Sequence, residues 1–299
     1  MNLKAPAKIN LYLDILGRRA DGYHELKTLF QTVSLYDELS LRARPAPSAS
    51  IHLDVDMSAL HSGSKKVCPG DRTNIVWRAA ELYLEKFPAK KSLHFTLKKQ
   101  IPVQAGLGGG SSDAAAALLA LSQKRQTPNQ LTTIAAKLGA DVPFFLNKGC
   151  AVASGIGEKL APIRPIPRFW AVIVKPKIGL STKEVYGWLD SASTRKKAPS
   201  GSLTNTPNLN KIINLIRKGK SMKEWSPCLF NRFEEVVFEK VSELRAIKSR
   251  LLDSGAHNAL LSGSGSALFG LATSRQEALN IKTKFNTRRG EGVWVVHSL

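Results

Sequence analysis

Cysteine is scarce in this chain. Cys68, Cys150 and Cys228 are scattered and form no C-x-x-C pair, which excludes a disulfide framework and a thiolate zinc site and fits a reducing cytosol. The histidines show no metal-ligand spacing, so no residue is assigned to a metal. Long apolar runs are also missing. The longest, Ala114–Leu121, falls far short of the roughly 18–20 residues a membrane-spanning helix needs, and no membrane partner is expected. The opening stretch "MNLKAPAKINLYLDIL" is interrupted by Lys4 and Lys8 and alternates like a strand, not like a leader. Several signatures are absent as well. There is no G-K-[ST] of a Walker A loop, no completed G-x-G-x-x-G, and no H-R-D or D-F-G of a protein kinase.

Acidic residues are the under-represented charge. The 23 Asp and Glu face 44 Lys and Arg, a net charge of +21, which suits a polyanionic small substrate, a nucleic acid or a basic surface. The basic clusters "STRKKAPS", "IRKGKSMK" and "KTKFNTRR" lack interleaved aromatics, so they read as solvated surface and no nucleic-acid partner is expected.

What is present is a mixture of strand and helix over 299 residues with 43% apolar content, enough for one large or two medium domains of α+β type. "AKINLYLDIL", "SIHLDVD", Leu93–Pro102, "WAVIVKP", "SALFGLA" and "GVWVVHS" read as strands. Thr28–Arg44 reads as strand with a turn near Tyr36 and Asp37. Asn74–Phe87 has helical spacing with Asn74 as a possible N-cap. A helix is expected from about Ser112 to Gln123. "TPNQLTTIAAKLG" is a helix with Thr127 as N-cap and Pro128 at the first position. "NRFEEVVFEKVSELRAIKSRLLD" and "SRQEALNIKTKF" are helical. His61–Asp71 is a polar loop. The Pro-rich "RPIPRF", Arg164–Phe169, marks a division of the chain into residues 1–157 and 158–299.

The densest chemical signal is "IPVQAGLGGGSSDAAAALLAL", Ile101–Leu121. Gly106, Gly108, Gly109 and Gly110 let the backbone approach an anion closely. The helix that follows presents unpaired N–H groups and a partial positive charge. Pliable loop and firm helix together make a phosphate cradle, to which Ser111 and Ser112 add hydroxyls. A Gly-rich turn serving only to start a helix is the alternative.

That stretch resembles the second motif of the GHMP kinase superfamily of small-molecule kinases. "KAPAKINLYL" resembles the first motif and "LLSGSGSALFGL", Leu260–Leu271, the third, a loop that braces the nucleotide loop. The three occur in the family's order and span nearly the whole chain. "ADGYHEL" and "LGADVPFFL" resemble the branch that phosphorylates the 2-hydroxyl of 4-diphosphocytidyl-2-C-methyl-D-erythritol (CDP-methylerythritol) in non-mevalonate isoprenoid synthesis. Gln104 departs from the pattern, where Gly or Ala is usual. Homoserine and phosphomevalonate kinases are the rival activities. A basic RNA-binding protein on an S5-like fold is the rival class.

The resemblance implies a two-domain fold, a ribosomal S5 domain 2-like ATP-binding domain followed by a ferredoxin-like domain, in a cytoplasmic enzyme using ATP and magnesium. It implies Asp141 as catalytic base and Lys8 as its partner. It implies ATP contacts from Pro102, Val103, Gln104, Ala105, Gly106, Leu107, Gly108, Gly109, Gly110, Ser111 and Ser112, with Lys99 and Asn74 near the adenine and ribose. Tyr23 and His24 would recognise the cytidine, Tyr186 would cover its other face, and Asn10, Ile156 and Thr182 would line the substrate. No further acidic residue stands out as a magnesium ligand, so phosphates and water are expected to hold the ion. Without the family, Asp141 reads as a turn or N-cap aspartate, Lys8 as an edge-strand lysine and Tyr23 as a loop aromatic.

Overall fold

A computed structural model of the chain describes residues 1–60, 68–122, 126–163, 166–195 and 209–299. Part of the loop expected at His61–Asp71, Gln123 at the end of the second expected helix, Arg164 of the Pro-rich stretch and the basic cluster beyond Arg195 lie outside these residues. Two compact units interleave along the chain. The first comprises Met1–Ala7, Leu35–Val103 and Gly108–Lys148; the second comprises Lys8–Ser34, Gln104–Leu107 and Gly149–Leu299. Two long strands, β1 (Asn2–Arg18) and β2 (His24–Pro45), contribute to both.

In the first unit β3 (Ser50–Asp56) runs parallel to β4 (Lys91–Lys98), and β4 pairs antiparallel with the second half of β2. Leu93, Phe95 and Leu97 of β4 point inward while His94 and Thr96 point out, the period of two that the alternation predicts. The helices are α1 (Ile75–Lys86), α2 (Gly109–Ser122), α3 (Pro128–Leu138) and α4 (Val142–Asn147). Asn74 caps α1 by accepting from Val76 N at 2.9 Å. A Thr127–Gln130 capping box and Pro128 open α3. Helix α2 packs against α1 and α4. Its run Ala114–Ala117 is wholly buried, and such small side chains let helix backbones approach closely.

In the second unit β5 (Cys150–Gly155) pairs with the first half of β2 and with β6 (Lys159–Pro162). A separate antiparallel sheet holds β7 (Trp170–Lys175), β9 (Ala259–Leu261), β10 (Leu268–Ala272) and β11 (Gly292–His297) in the order β11-β7-β10-β9. β8 (Phe230–Asn231) lies parallel to β1. Helices α5 (Thr182–Arg195), α6 (Leu209–Arg217), α7 (Met222–Trp225), α8 (Glu234–Lys240), α9 (Ser242–Asp253) and α10 (Arg275–Lys284) complete it. Val172, Val174, Leu244, Ile247, Leu251, Leu268, Ile281 and Phe285 form its core.

Three local expectations are corrected. β2 runs without a turn through Tyr36 and Asp37, because Asp37 is fully buried with its carboxylate bonded to Lys99 and to the Gln100 and Ile101 amides. Helix α2 begins at Gly109 and not at Ser112. A side chain on Gly109 would place its Cβ 3.0 Å from Ile101 Cγ2, so close packing sets the start where propensity alone would not. The helix expected over Asn231–Asp253 breaks at Val241, whose φ of −133° and ψ of 79° lie outside helical territory and separate α8 from α9.

Candidate active site

Strand β1 is buried without alternation from Ala5 to Ile15, so its polar side chains must find partners inside the protein. Lys8 Nζ donates to Asn10 Oδ1 at 2.7 Å, Asn10 Nδ2 donates to Thr28 Oγ1 at 2.8 Å, and Thr28 Oγ1 donates to the Tyr12 carbonyl at 2.6 Å. The Lys8 ammonium also lies 5.0 Å from the centre of the Phe30 ring. This relay fixes the Asn10 amide in one orientation, oxygen toward Lys8 and nitrogen toward Thr28. It holds a buried cation where a β1 lysine would otherwise be expected to reach water.

The glycine-rich stretch passes through both units along the chain. In the second, Gln104 takes a left-handed conformation at φ 51° and Gly106 one at φ 73°. The third motif clasps this segment. Ala267 N donates to Ala105 O at 3.1 Å, Ser262 Oγ donates to Gly106 O at 3.0 Å, and Lys8 N donates to Leu107 O at 2.9 Å. A Cβ on Gly106 would lie 1.9 Å from Ser262 O, so only glycine fits this clasp. Thr182, at the start of α5, bonds to Ser264 of the same motif at 3.1 Å. Of the other residues expected to contact ATP, Pro102 and Val103 precede this segment in the first unit, and Leu107 follows Gly106 in the second.

In the first unit Gly108, at φ 69°, leads into α2 and its carbonyl accepts from Ser112 N at 2.9 Å. Gly109, Gly110 and Ser111 form the first turn. The Ser112 hydroxyl is buried and has no hydrogen-bond partner among the described residues, an orphaned polar atom at a helix N-terminus. Beneath the turn, Lys99 is buried between two carboxylates, Asp37 and Asp113, with Asp113 Oδ2 at 2.7 Å. Burial works against the Lys99 charge, but the two carboxylates outweigh it and raise its pKa above the ordinary lysine value. Asp113 is the carboxylate that yields. Burial raises it well above the usual range, Lys99 opposes, and the neighbouring Asp37 charge adds to the rise. Asp113 Oδ1 has no partner among the described residues, whereas both Asp37 oxygens are bonded. The Asn74 side chain is occupied in capping α1 and in donating to Pro69 O at 2.7 Å.

Asp141 stands immediately before α4, also in the first unit, and its carboxylate makes no capping bond to that helix. That removes the N-cap explanation for its presence. The six residues expected to line the substrate, Asn10, Tyr23, His24, Ile156, Thr182 and Tyr186, all fall in the second unit. His24 and Tyr186 stack with ring centres 4.6 Å apart, and Tyr186 meets Phe233 edge-on at 4.9 Å. Tyr23 projects from its turn and is 62% exposed, which does not suit a residue packed on a sheet. The Ile156 amide is bonded to Glu158 Oε2 at 2.7 Å.

The family signature "GHMP kinases N terminal domain" matches residues 74–149, and "GHMP kinases C terminal" matches residues 206–291. Among curated relatives, 4-diphosphocytidyl-2-C-methyl-D-erythritol kinase of Pelotomaculum thermopropionicum is 39% identical over 284 residues, 94% of this chain and 92% of that protein. The chain belongs to the GHMP kinase family. The enzyme of the same name from Bacillus cereus (strain B4264) is 40% identical over 90% of this chain and 87% of its own. A crystal structure of 4-(cytidine 5'-diphospho)-2C-methyl-D-erythritol kinase superposes with a TM-score of 0.79 at 34% identity, covering 100% of this chain and 99% of that one. A homoserine kinase from Cytophaga hutchinsonii, 21% identical with a TM-score of 0.76, shares the two-domain GHMP kinase fold.

Four polar residues that bond to nominated ones were not themselves nominated from the sequence: Thr28 on Asn10, Asp37 and Asp113 on Lys99, and Asp190 on His24. Thr28 follows His24 at even spacing along one strand, so it shares a face with a nominated residue, and that signal was available. Asp113 sits one turn into α2, in a run of serine and alanine that gives no sign of a buried partner. Its burial against Lys99 becomes visible only when β2, β4 and α2 are brought together.

Proposed function

We propose that this chain transfers the γ-phosphoryl group of ATP to the 2-hydroxyl of CDP-methylerythritol, a step in isoprenoid precursor synthesis by the methylerythritol phosphate route. The observation that carries the reading is identity of about two residues in five with enzymes of that name, sustained over at least nine-tenths of the chain. In family terms residues 1–157 form the ATP-binding domain and 158–299 the C-terminal domain.

In this reading the triphosphate lies over the start of α2, where amide N–H groups and the orphaned Ser112 hydroxyl are suited to anionic oxygens. Phosphoryl transfer passes through a loose transition state, so the protein contributes position and charge and little covalent chemistry. Asp141 takes the proton from the attacking hydroxyl, and Lys8 supplies positive charge to the carboxylate and to the transferring oxygens. The Lys8–Asn10–Thr28 relay keeps that cation in place. Magnesium, carried on the nucleotide phosphates, would neutralise charge developing on them. Among the described residues no cluster of three His, Cys, Asp or Glu side chains could hold it, so Ser112 is the side chain of this loop best suited to touch it. Lys99 acts on the nucleotide through the loop it anchors. Tyr23, His24 and Tyr186 take the cytosine, a flat base suited to aromatic faces, and Asn10, Ile156 and Thr182 line the rest of the substrate.

The deciding assay couples ADP release to CDP-methylerythritol, homoserine and mevalonate phosphate offered as rivals. Turnover of the cytidine compound alone is expected, and preference for either rival overturns the reading. Gly108→Val should abolish ATP binding in a folded protein by calorimetry, and unchanged affinity removes the triphosphate from this loop. Asp141→Asn should lower kcat by roughly 10²–10⁴ with ATP affinity retained, the usual effect of losing a general base. A wild-type kcat removes Asp141 from the mechanism.

A further inference from the structure

Lys175 ends β7 and is only 3% exposed, yet no carboxylate among the described residues bonds it. Its Nζ donates instead to two backbone carbonyls, Pro176 O and Ile178 O, both at 2.7 Å. The ammonium thus pins the turn that leads from β7 to α5. A buried cation without a carboxylate is unfavourable, and such departures from the ordinary rules concentrate where function requires them. Burial depresses the Lys175 pKa to about 8. The charged groups of neighbouring elements are engaged or turned away. Glu291, beside the Lys175 partner Gly292 on β11, takes Arg250 and the Arg288 amide. Lys177 of the turn lies against Gly290. β10 and the third motif carry no charged residue, and α10, packed on β7, turns Ala278 and Ile281 inward and its charges outward.

The pinned turn meets the glycine-rich loop and its brace within the same unit. Ile178 O also accepts from the Ser266 hydroxyl of the third motif, and the next residue, Ala267, holds Ala105 O through its amide. A Cβ on Gly179 would lie 2.7 Å from Gln104 Oε1, so the Gln104 side chain rests on bare backbone there. Gln104 is the residue that departs from the family pattern. Its left-handed conformation, φ 51°, persists only where the surroundings enforce it.

We propose that Lys175 is a positioning residue for ATP: its ammonium fixes the turn at residues 176–180, against which Gln104 and the third motif are set, and so holds residues 104–107 in shape for the nucleotide. The proposal rests on the placement of ATP in this loop given above. Deprotonation leaves an amine that still donates, but without the charge that makes such bonds roughly twice as strong. The loop therefore slackens as pH rises through the Lys175 value. Folding responds with the opposite sign. The unfolded chain keeps the proton that buried Lys175 loses, so this group's contribution to stability improves from about pH 8 toward the ordinary lysine range.

The test measures ATP KM, kcat and urea stability across the neutral-to-alkaline range for wild type, Lys175→Met, Lys175→Arg and Ser266→Ala, with amide hydrogen exchange on the full-length protein. Lys175→Met should raise ATP KM about tenfold near neutral pH with kcat within about threefold, the mark of a loop displaced by a residue remote from the chemistry. Ser266→Ala, which removes one hydrogen bond to the same carbonyl, should raise ATP KM by about threefold. Wild-type kcat/KM for ATP should fall as pH passes about 8, and Lys175→Arg, which keeps its charge, should flatten that fall. A fall in ATP use without a fall in stability separates positioning from a merely structural role. Unchanged ATP KM in folded Lys175→Met, or the same pH profile in wild type and Lys175→Arg, overturns the proposal. If Lys175→Met does not fold, the pH profiles and the Ser266→Ala KM decide. Unchanged ATP affinity in Gly108→Val overturns the placement of ATP instead. Exchange at residues 178–180 and 104–107, expected to quicken in Lys175→Met or, should that fail to fold, in Ser266→Ala, then still decides whether this turn holds the loop.

Discussion

Asp37 and Asp113 share one buried ammonium but are not equivalent. Asp37 also takes two backbone amides, at 2.6 Å and 2.8 Å, and so is the better-solvated carboxylate. Asp113, with one oxygen unpartnered among the described residues, keeps a proton into a range where an ordinary aspartate has lost it. A folded-state pKa above the unfolded value means that the folded protein binds the extra proton. Stability contributed by this group is therefore greatest at and below the usual carboxylate range and declines as pH rises toward the folded value. Urea unfolding from pH 5 to pH 8 should show that decline in the wild type and a flatter profile in Asp113→Asn, which should be at least as stable at pH 8. Lys99→Met leaves two carboxylates facing each other without a cation and should lose roughly 3–5 kcal/mol, the scale for breaking a buried ion pair. Burial also pushes the Cys150 thiol up to about 12. At pH 8 it should resist alkylation in the native protein and react once unfolded, with peptide mass spectrometry reading the site. Nothing in "LYDEL" or "SSDAA" distinguishes these two aspartates from surface ones. Their environment is made by strands and a helix separated by more than 60 residues of chain, so a sequence window does not contain it.

At the scale of elements the best-predicted pieces are those whose cause is local. Helices α1 and α3 carry their own caps, Asn74 and the Thr127–Gln130 box. Thr127→Ala should therefore lower stability by about 1 kcal/mol while ATP and substrate KM stay unchanged, as chemical denaturation and steady-state kinetics would show. The glycine-rich loop is different in kind. Its shape is imposed by Ser262 and Ala267, more than 150 residues downstream. Gly106→Ala would drive a methyl group onto the Ser262 carbonyl and strain a backbone at φ 73°. ATP KM should rise by at least about tenfold, a displacement of the loop of the kind that disrupts catalytic positioning. An unchanged ATP KM would show that the clasp does not set the loop's geometry. The starts and breaks of α2, α8 and α9 were misplaced for the same reason: steric fit at Gly109 and backbone geometry at Val241 overrule helix propensity.

At the scale of the whole molecule the net charge of +21 meets two substrates that are both polyanions in the proposed reaction. Their KM values should rise together with added salt, while kcat stays level, because screening acts on encounter and binding. RNA of arbitrary sequence should bind weakly and be released as salt rises; a tight, sequence-selective complex at physiological salt would argue for a second partner. The chain's own order determined the family, the mixed α/β class, the three glycine-rich or lysine-bearing motifs and most element types, since periodicity, caps and turn chemistry act over a few residues. It also marked Lys8, Asn10, His24 and Tyr186 as residues of interest. What only the tertiary structure decided is which of them touch: Lys8 with Asn10 and Thr28, His24 with Asp190 and Tyr186, Lys99 with Asp37 and Asp113. Those contacts join positions 2 to 166 residues apart. Hydrogen bonding and charge pairing depend on distance in space, and that distance is set by how two long strands and the interleaved units fold.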